Sequence, residues 1–217
     1  MKVALIGASG FVGSSVLREL LDRGHQVSAI TRHPDKITLS HPALTAVSGN
    51  VFEVKELAAL LKGHDAVISA YNPGWSNPNI YREFLDGSQA VQQAVKEAGV
   101  KRYIVVGGAG SSFIAPGLQL IDTPEFPAEW KPGALAARDY LNIIQEEKEL
   151  DWSFVTPAIE MHQGTSGTRK GVYRTGNNAP VFDEHNRSII SVEDLAVAIV
   201  DELEKPAHIK ERFTVAW

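Results

Sequence analysis

The residues with the clearest chemical spacing stand at the start of the chain, in "LIGASGFVGSSVLREL", residues 5–20. Gly7, Gly10 and Gly13 recur as G-x-x-G-x-x-G directly after the run "KVALI", and a helical pattern follows. A turn of this kind lets backbone come close to a pyrophosphate, packs the helix tightly on a strand, and aims the first helical N–H groups at the phosphates. Gly7, Ala8, Ser9, Gly10, Phe11, Val12 and Gly13 are therefore candidate dinucleotide-binding residues. An NAD site commonly offers Asp or Glu to the ribose 2′-hydroxyl about 20 residues further on, but here the next strand ends in Thr31, Arg32 and His33. A carboxylate repels a 2′-phosphate, whereas a guanidinium binds one through a charged fork. Arg32 thus predicts NADP(H) in preference to NAD(H), and its competing use is a surface ion pair with Asp35.

Other chemistry is sparse. His162, in "EMHQG", is a candidate proton donor, although a lone histidine is more often structural. Tyr71, Trp75, Phe113 and Trp130 stand in loops, where they could stack on a planar substrate or pack on their own loop. No spacing of histidines and carboxylates suggests a metal. Without cysteine the chain has no thiolate nucleophile, disulfide or thiolate metal site, so redox work would need a cofactor.

The elements that must position these groups alternate. Short apolar, largely β-branched runs ("KVALIG", "VSAIT", "LTAVSG", "DAVISA", "RYIVVGG", "WSFVTP") are separated by amphipathic segments over most of the chain. Parallel strands need long crossovers and are buried on both faces, so this predicts an α/β fold: a Rossmann-like, doubly wound, mostly parallel sheet with helices on both faces. Val12, Val16, Leu17, Leu20 and Leu21 keep helical spacing before Gly24, and Val54, Leu57, Leu60 and Leu61 do so before Gly63. Ser191 precedes Asp194 by three at the head of a last helix that stops before Pro206, and "RFTVAW" reads as a final strand. Two segments break the rhythm: residues 108–133, with four prolines, and residues 158–187, rich in Gly, Asn and Arg. Each follows a predicted strand, and long irregular segments there are expected to wall a substrate pocket.

Composition bounds the rest. The chain has 217 residues, 44% of them hydrophobic and 22% charged, which fits one domain spanning 1–217. A net charge of −5 with no basic run argues against nucleic acid as a partner. No stretch approaches the roughly 18 apolar residues of a membrane span, and no cleavage-like region follows the first apolar run. A cytoplasmic protein acting on a small molecule is expected; the oligomeric state stays open.

With "GASGFVG", "ITRHP", "DAVISA", "VVGGAGS" and "DWSFVTPA" in this order, the chain resembles the atypical short-chain dehydrogenase/reductase superfamily. Within it, the chain is similar to the NAD(P)-binding, NmrA-like group that includes the biliverdin reductase B and flavin reductase type, whose members often carry epimerase names. The resemblance spans nearly the whole chain and implies a seven- or eight-stranded sheet. It places Gly7 to Gly13 on the pyrophosphate, Arg32 on the 2′-phosphate, and Asn50 and Val51 beside the adenine, with Asn50 standing where the group usually has Asp. Ser69, Ala70 and Tyr71 would follow the ribose, and residues 107–111, Gly108 among them, with residues 157–159 from Pro157 onward, would flank the nicotinamide.

The superfamily's acid/base unit is Tyr-x-x-x-Lys on a helix, where the ammonium favours the phenolate. None of the five tyrosines has its lysine: four residues after each come Trp75, Leu85, Gly107, Ile144 and Asn177. Tyr140 stands on the expected helix and is a candidate proton donor, but a poor base, and it could equally be a tyrosine tucked against the sheet with its hydroxyl at the rim. Ser111 matches the superfamily's active-site serine, with Ser112 beside it leaving the register open. Alcohol oxidation or epimerisation needs a base, whereas reduction of a conjugated acceptor leaves an anion that solvent can protonate. The expected function is NADPH-dependent reduction of a small planar acceptor such as a flavin or quinone. The alternatives are a non-catalytic NADP(H) sensor and an epimerase or isomerase.

Overall fold

A computed structural model describes residues 1–217. The first half of the chain runs β1 (Lys2–Ile6), α1 (Phe11–Asp22), β2 (Gln26–Thr31), β3 (Leu44–Ser48), α2 (Val54–Leu61), β4 (Ala66–Ser69), α3 (Ile80–Glu97) and β5 (Arg102–Val106). A small hairpin, β6 (Phe113–Ala115) and β7 (Leu118–Gln119), precedes α4 (Lys131–Gln145) and β8 (Asp151–Thr156). After β9 (Arg174–Gly176) the chain ends in α5 (Val192–Glu204) and β10 (Glu211–Ala216).

Eight strands form one sheet in the order β3-β2-β1-β4-β5-β8-β10-β9, parallel except for the β10–β9 pair. This is the doubly wound α/β sheet that the alternating pattern predicts, and β9, a three-residue edge strand with two exposed residues, is the member that periodicity misses. The two faces are filled almost equally, by clusters of 24 and 23 buried hydrophobic residues, as a sheet of crossovers requires. α1 and α5 cover one face with Val16, Leu20, Leu195 and Ile199; α2, α3 and α4 cover the other with Leu57, Val91, Ala94 and Ile144.

Local signals act where the sequence puts them. α1 stops at its C-cap Arg23, followed by Gly24 at φ +78°, a left-handed conformation that costs glycine little. The Ser191 hydroxyl accepts the Asp194 N–H at 3.0 Å and so caps α5. The reciprocal bond of a capping box does not form, because the Asp194 carboxylate turns away to accept from the N–H groups of Lys170 and Gly171 and from Trp217 Nε1. No helix is long and apolar enough to cross a membrane.

Strand order reverses beside β1: the chain winds outward to β2 and β3, then returns to place β4 on the other side of β1. Crossovers on either side of such a point diverge and leave a crevice at the carboxyl ends of the strands. The glycine turn after β1 opens into it.

Candidate dinucleotide site

Gly7 has φ +80°, and a Cβ on it would lie 2.5 Å from the Ala70 carbonyl oxygen at the end of β4. A Cβ on Gly13 would lie 2.1 Å from the Gly7 carbonyl oxygen. The turn is therefore held between β4 and the first turn of α1 with no room for a side chain at either contact. Gly10 differs: it is exposed, has ordinary extended dihedrals, and leaves its outer side open. The N–H groups of Phe11, Val12 and Gly13 have no acceptor in the protein, and the first turn of α1 holds neither a capping side chain nor an acidic residue. Free N–H groups at a helix N-terminus, reached past an open glycine, suit a pyrophosphate. Ala8 is buried beneath the turn, Val12 is half-buried and Phe11 is exposed at its rim.

The end of β2 is tied to this turn. The Ser9 and Thr31 hydroxyls share a hydrogen bond of 2.9 Å, and the His33 N–H donates to Thr31 Oγ1 at 3.3 Å. Arg32, between them, is exposed and makes no hydrogen bond or ion pair, so the Arg32–Asp35 pair that the sequence allows does not form. Next along the rim, the Gly49 N–H donates to the Thr31 carbonyl at 3.0 Å. Asn50 Oδ1 then accepts the Phe52 N–H at 3.2 Å, which leaves the Asn50 amide group free beside buried Val51.

On the β4 side, the Ala70 N–H donates to the Ile6 carbonyl at 2.9 Å, and Ser69 is buried. Tyr71 lies against α3 at Gly87, where a Cβ would come within 2.5 Å of its ring, and its hydroxyl donates to the Glu83 carbonyl at 3.1 Å. Burial and the nearby Glu83 charge push that hydroxyl up to about 12, with the Arg32 charge opposing them. Tyr71 is thus held in place against α3.

Beyond β5, Gly107 passes over Phe154, where a Cβ would lie 1.9 Å from the ring. Half-buried Gly108 leads to Ser111, which is 2% exposed and whose hydroxyl makes one long bond, 3.4 Å, to the Gly108 carbonyl. The neighbouring end of β8 carries buried Pro157 and the Thr156 hydroxyl, a buried polar atom with no partner.

Two candidates are placed differently, one in the core and one at the surface. Tyr140 does not belong to the catalytic set that the sequence suggests: it has no exposed surface, and its hydroxyl donates to Gln92 Oε1 at 3.1 Å and lies 3.4 Å from the Tyr103 hydroxyl. Gln92 in turn donates to Glu147, just past the end of α4 that points away from the crevice. Burial, with Tyr103 beside it, raises the Tyr140 pKa well above that of an ordinary tyrosine, so it holds its proton. His162 is exposed, and its Nδ1 accepts the Gly164 N–H at 3.0 Å, capping the short helical turn Gln163–Thr165; no bond brings it to Ser111.

The irregular segments also divide. The first covers the α3–α4 side of β8 and β10, and its Phe113 N–H donates to the Asn178 carbonyl at 2.8 Å, which joins it to the second. The middle of the second segment runs down the outer face of α1 and α5. Arg169 forks onto Glu19 at 2.8 and 2.9 Å, and the Tyr173 hydroxyl donates to Asp201 at 2.7 Å. Only its ends stay near the strand ends, where Glu160 bridges Ile189. Three groups are not marked as site residues in the sequence: Thr156 at the end of β8, and Arg212 near the start of β10 with its partner Asn178. The one signal along the chain is a charged residue at the start of the largely apolar "RFTVAW".

Fold and turn together define a dinucleotide-binding protein of the Rossmann type. Comparison with known families gives the same answer: residues 7–206 match the NAD(P)H-binding family model, and the chain belongs to that family, within the atypical short-chain dehydrogenase/reductase, NmrA-like superfamily. It is 36% identical to the uncharacterised protein YwnB of Bacillus subtilis (strain 168) over 217 residues, covering 99% of this chain and 98% of that one. Among solved structures it is similar to a Bacteroides thetaiotaomicron protein that carries a provisional epimerase name, with 46% identity, a TM-score of 0.92, and 100% and 96% of the two chains covered. It is also similar to a candidate NADH-flavin reductase from Streptococcus pneumoniae TIGR4, with 36% identity, a TM-score of 0.83, and 100% and 99% covered.

Proposed function

We propose that this protein is an NADPH-dependent reductase of small planar acceptors such as flavins and quinones. It would act in the cytoplasm as a single domain whose first irregular segment, with the ends of the second, walls the acceptor site. The observation that carries the reading is the want of a base: no tyrosine has a lysine four residues on, and Tyr140 is sealed in the core with its proton held. Oxidation of an alcohol or epimerisation of a sugar lacks the superfamily's usual base here, whereas hydride transfer to a conjugated ring needs only positioning. A bound nicotinamide would supply the hydride. The residues of this chain would hold the pyrophosphate on the N–H groups of Phe11, Val12 and Gly13, and meet the acceptor beside Ser111. The flavin reductase name of the Streptococcus relative supports a flavin as acceptor, while its name carries NADH. The preference for NADPH rests on Arg32 alone, a free guanidinium where an NAD site would offer a carboxylate.

The test is a fluorescence titration with NADPH and NADH in wild type and Arg32→Ala, followed by flavins and quinones added to the NADPH complex. A charged fork to phosphate contributes about 1.5–3 kcal/mol, so the variant should lose roughly 10- to 100-fold in NADPH affinity and little for NADH. Equal binding of the two dinucleotides by wild type would sink the role of Arg32. Tight NADPH binding that no acceptor discharges would favour the sensor, for which the exposed Phe113, Ile114 and Leu118 of the hairpin offer a docking surface.

A further inference from the structure

Of the two buried arginines, Arg102 faces the Glu202 carboxylate at 2.9 Å, whereas Arg212 faces none. Arg212 is the second residue of β10, is 7% exposed, and pairs in register with Phe154 beneath the first irregular segment. Its Nε donates to Asn178 Oδ1 at 3.2 Å, and its Nη2 donates to the backbone and side-chain oxygens of Asn178, both at 3.1 Å. Nη2 also reaches the Ser111 carbonyl at 3.4 Å, and Nη1 makes a single long bond, 3.4 Å, to Ser112 Oγ. Its partners are all neutral. Burial, with no charge nearby to offset it, lowers its pKa to about 10, which leaves it cationic at neutrality.

A desolvated cation held only by neutral acceptors is an expensive way to fill space, because an apolar side chain of similar volume packs at least as well. The guanidinium also has donor capacity to spare at Nη1. Its location gives both features a use. Asn178 receives the Arg212 fork and the Phe113 N–H together, so Arg212 and Asn178 form the joint between the two irregular segments. The bond to the Ser111 carbonyl puts positive charge directly beneath the Ser111 turn.

We propose that Arg212 is the positioning residue of the acceptor site: it locks Ser111 and Ser112 to Asn178, and its unneutralised charge favours acceptors that become anionic on reduction. The proposal rests on the reductase reading above. When riboflavin accepts a hydride from C4 of a reduced nicotinamide, the C4–H bond breaks and an N5–H bond forms. The electron pair enters the ring, negative charge settles at N1 and the adjoining carbonyl, and solvent later supplies the proton. A fixed cation stabilises that developing anion more than the neutral oxidised ring, which is the differential interaction that raises a rate.

The test uses the whole chain with NADPH and riboflavin, in wild type, Arg212→Met, Arg212→Lys and Asn178→Ala. Four quantities are read: NADPH affinity by fluorescence, kcat and KM for riboflavin, and the pH at which bound reduced riboflavin loses its N1 proton, followed anaerobically by absorbance. Arg212→Met should keep NADPH affinity within about twofold, lower kcat about tenfold with little change in KM, and raise the N1 ionisation by about one pH unit. Arg212→Lys should restore the ionisation but not the full kcat, since it keeps the charge and loses the fork. Asn178→Ala should lower kcat with the ionisation unchanged. A wild-type kcat and N1 ionisation in Arg212→Met would overturn this proposal alone. If that variant does not fold, a wild-type kcat in both Arg212→Lys and Asn178→Ala would do the same. Wild-type protein that binds NADPH yet neither binds nor reduces riboflavin would overturn the reductase reading and this proposal with it.

Discussion

Gly13→Ala separates two opposite expectations. In an ordinary helix the change stabilises by roughly 0.5–1 kcal/mol, because alanine loses less backbone freedom than glycine on folding. At Gly13 the added Cβ would lie 2.1 Å from the Gly7 carbonyl oxygen, 2.8 Å from the Gly7 carbonyl carbon and 3.0 Å from Ala8 Cα. These neighbours are backbone atoms and no rotamer change relieves them. Gly7 cannot retreat, because on its other side the Ala70 carbonyl leaves no room. Either α1 moves outward by about 1 Å or the turn distorts, an overpacking cost of about 3 kcal/mol, the upper end of the usual range. For a chain of this size that lowers Tm by roughly 6–12 °C. The same shift displaces the N–H groups of Phe11, Val12 and Gly13, so NADPH affinity should fall at least about tenfold, one charge-assisted bond's worth. Gly10→Ala is the control. Its dihedrals are ordinary and its Cβ meets only the Gly7 oxygen at 3.3 Å, so Tm should stay near wild type while the outward methyl blocks phosphate approach and weakens binding. Differential scanning fluorimetry and the fluorescence titration measure both. A Gly13→Ala protein with raised or unchanged Tm and intact NADPH binding would refute the account of the turn.

Tyr140→Phe should leave acceptor turnover unchanged and cost about 1 kcal/mol in urea unfolding, the worth of the lost bond to Gln92; a large fall in kcat with normal stability would return Tyr140 to the catalytic set. Acid stability should turn on Glu147. Burial opposes its ionisation, but bonds from the Glu149 N–H, Gln92 and Lys96 outweigh burial and hold its pKa down, from the usual 4.5 to about 2. A depressed carboxylate stabilises the fold above the unfolded-state value and loses that contribution as pH falls from 4.5 toward 2. Glu147→Gln should therefore cost on the order of 2 kcal/mol at pH 7 and almost nothing near pH 2. Urea unfolding across a pH series measures this, and an equal cost at both ends would disprove the linkage.

The parts of this protein that are legible in the sequence are those decided by neighbours along the chain. Gly7, Gly10 and Gly13 mark their turn because strand, turn and helix follow one another within a dozen residues, and the steric demand at each glycine comes from that short stretch and the strand beside it. The alternation of β-branched runs with helical periodicity announces the sheet, since each element carries its own buried face. Ser191 caps its helix by a contact three residues long. Arg32 is readable for a similar reason, standing at the end of a strand whose position relative to the turn the βαβ unit dictates.

Tertiary structure alone decided the rest. Tyr140 has the helix position of a catalytic tyrosine, and only the packing of α4 against α3 and β5 shows its hydroxyl sealed between Gln92 and Tyr103. The second irregular segment reads as a pocket wall until Arg169 and Tyr173 are seen fastened to Glu19 and Asp201 on the far face of the helices. Arg212 reads as an ordinary residue at the start of a strand. Its meaning comes from Asn178, 34 residues before it, and Ser111, 101 residues before it. Local sterics and hydrogen-bond periodicity are written along the chain. Which distant groups share a low-dielectric site, and whether a buried charge there finds a counter-charge, is settled only when the sheet brings them together.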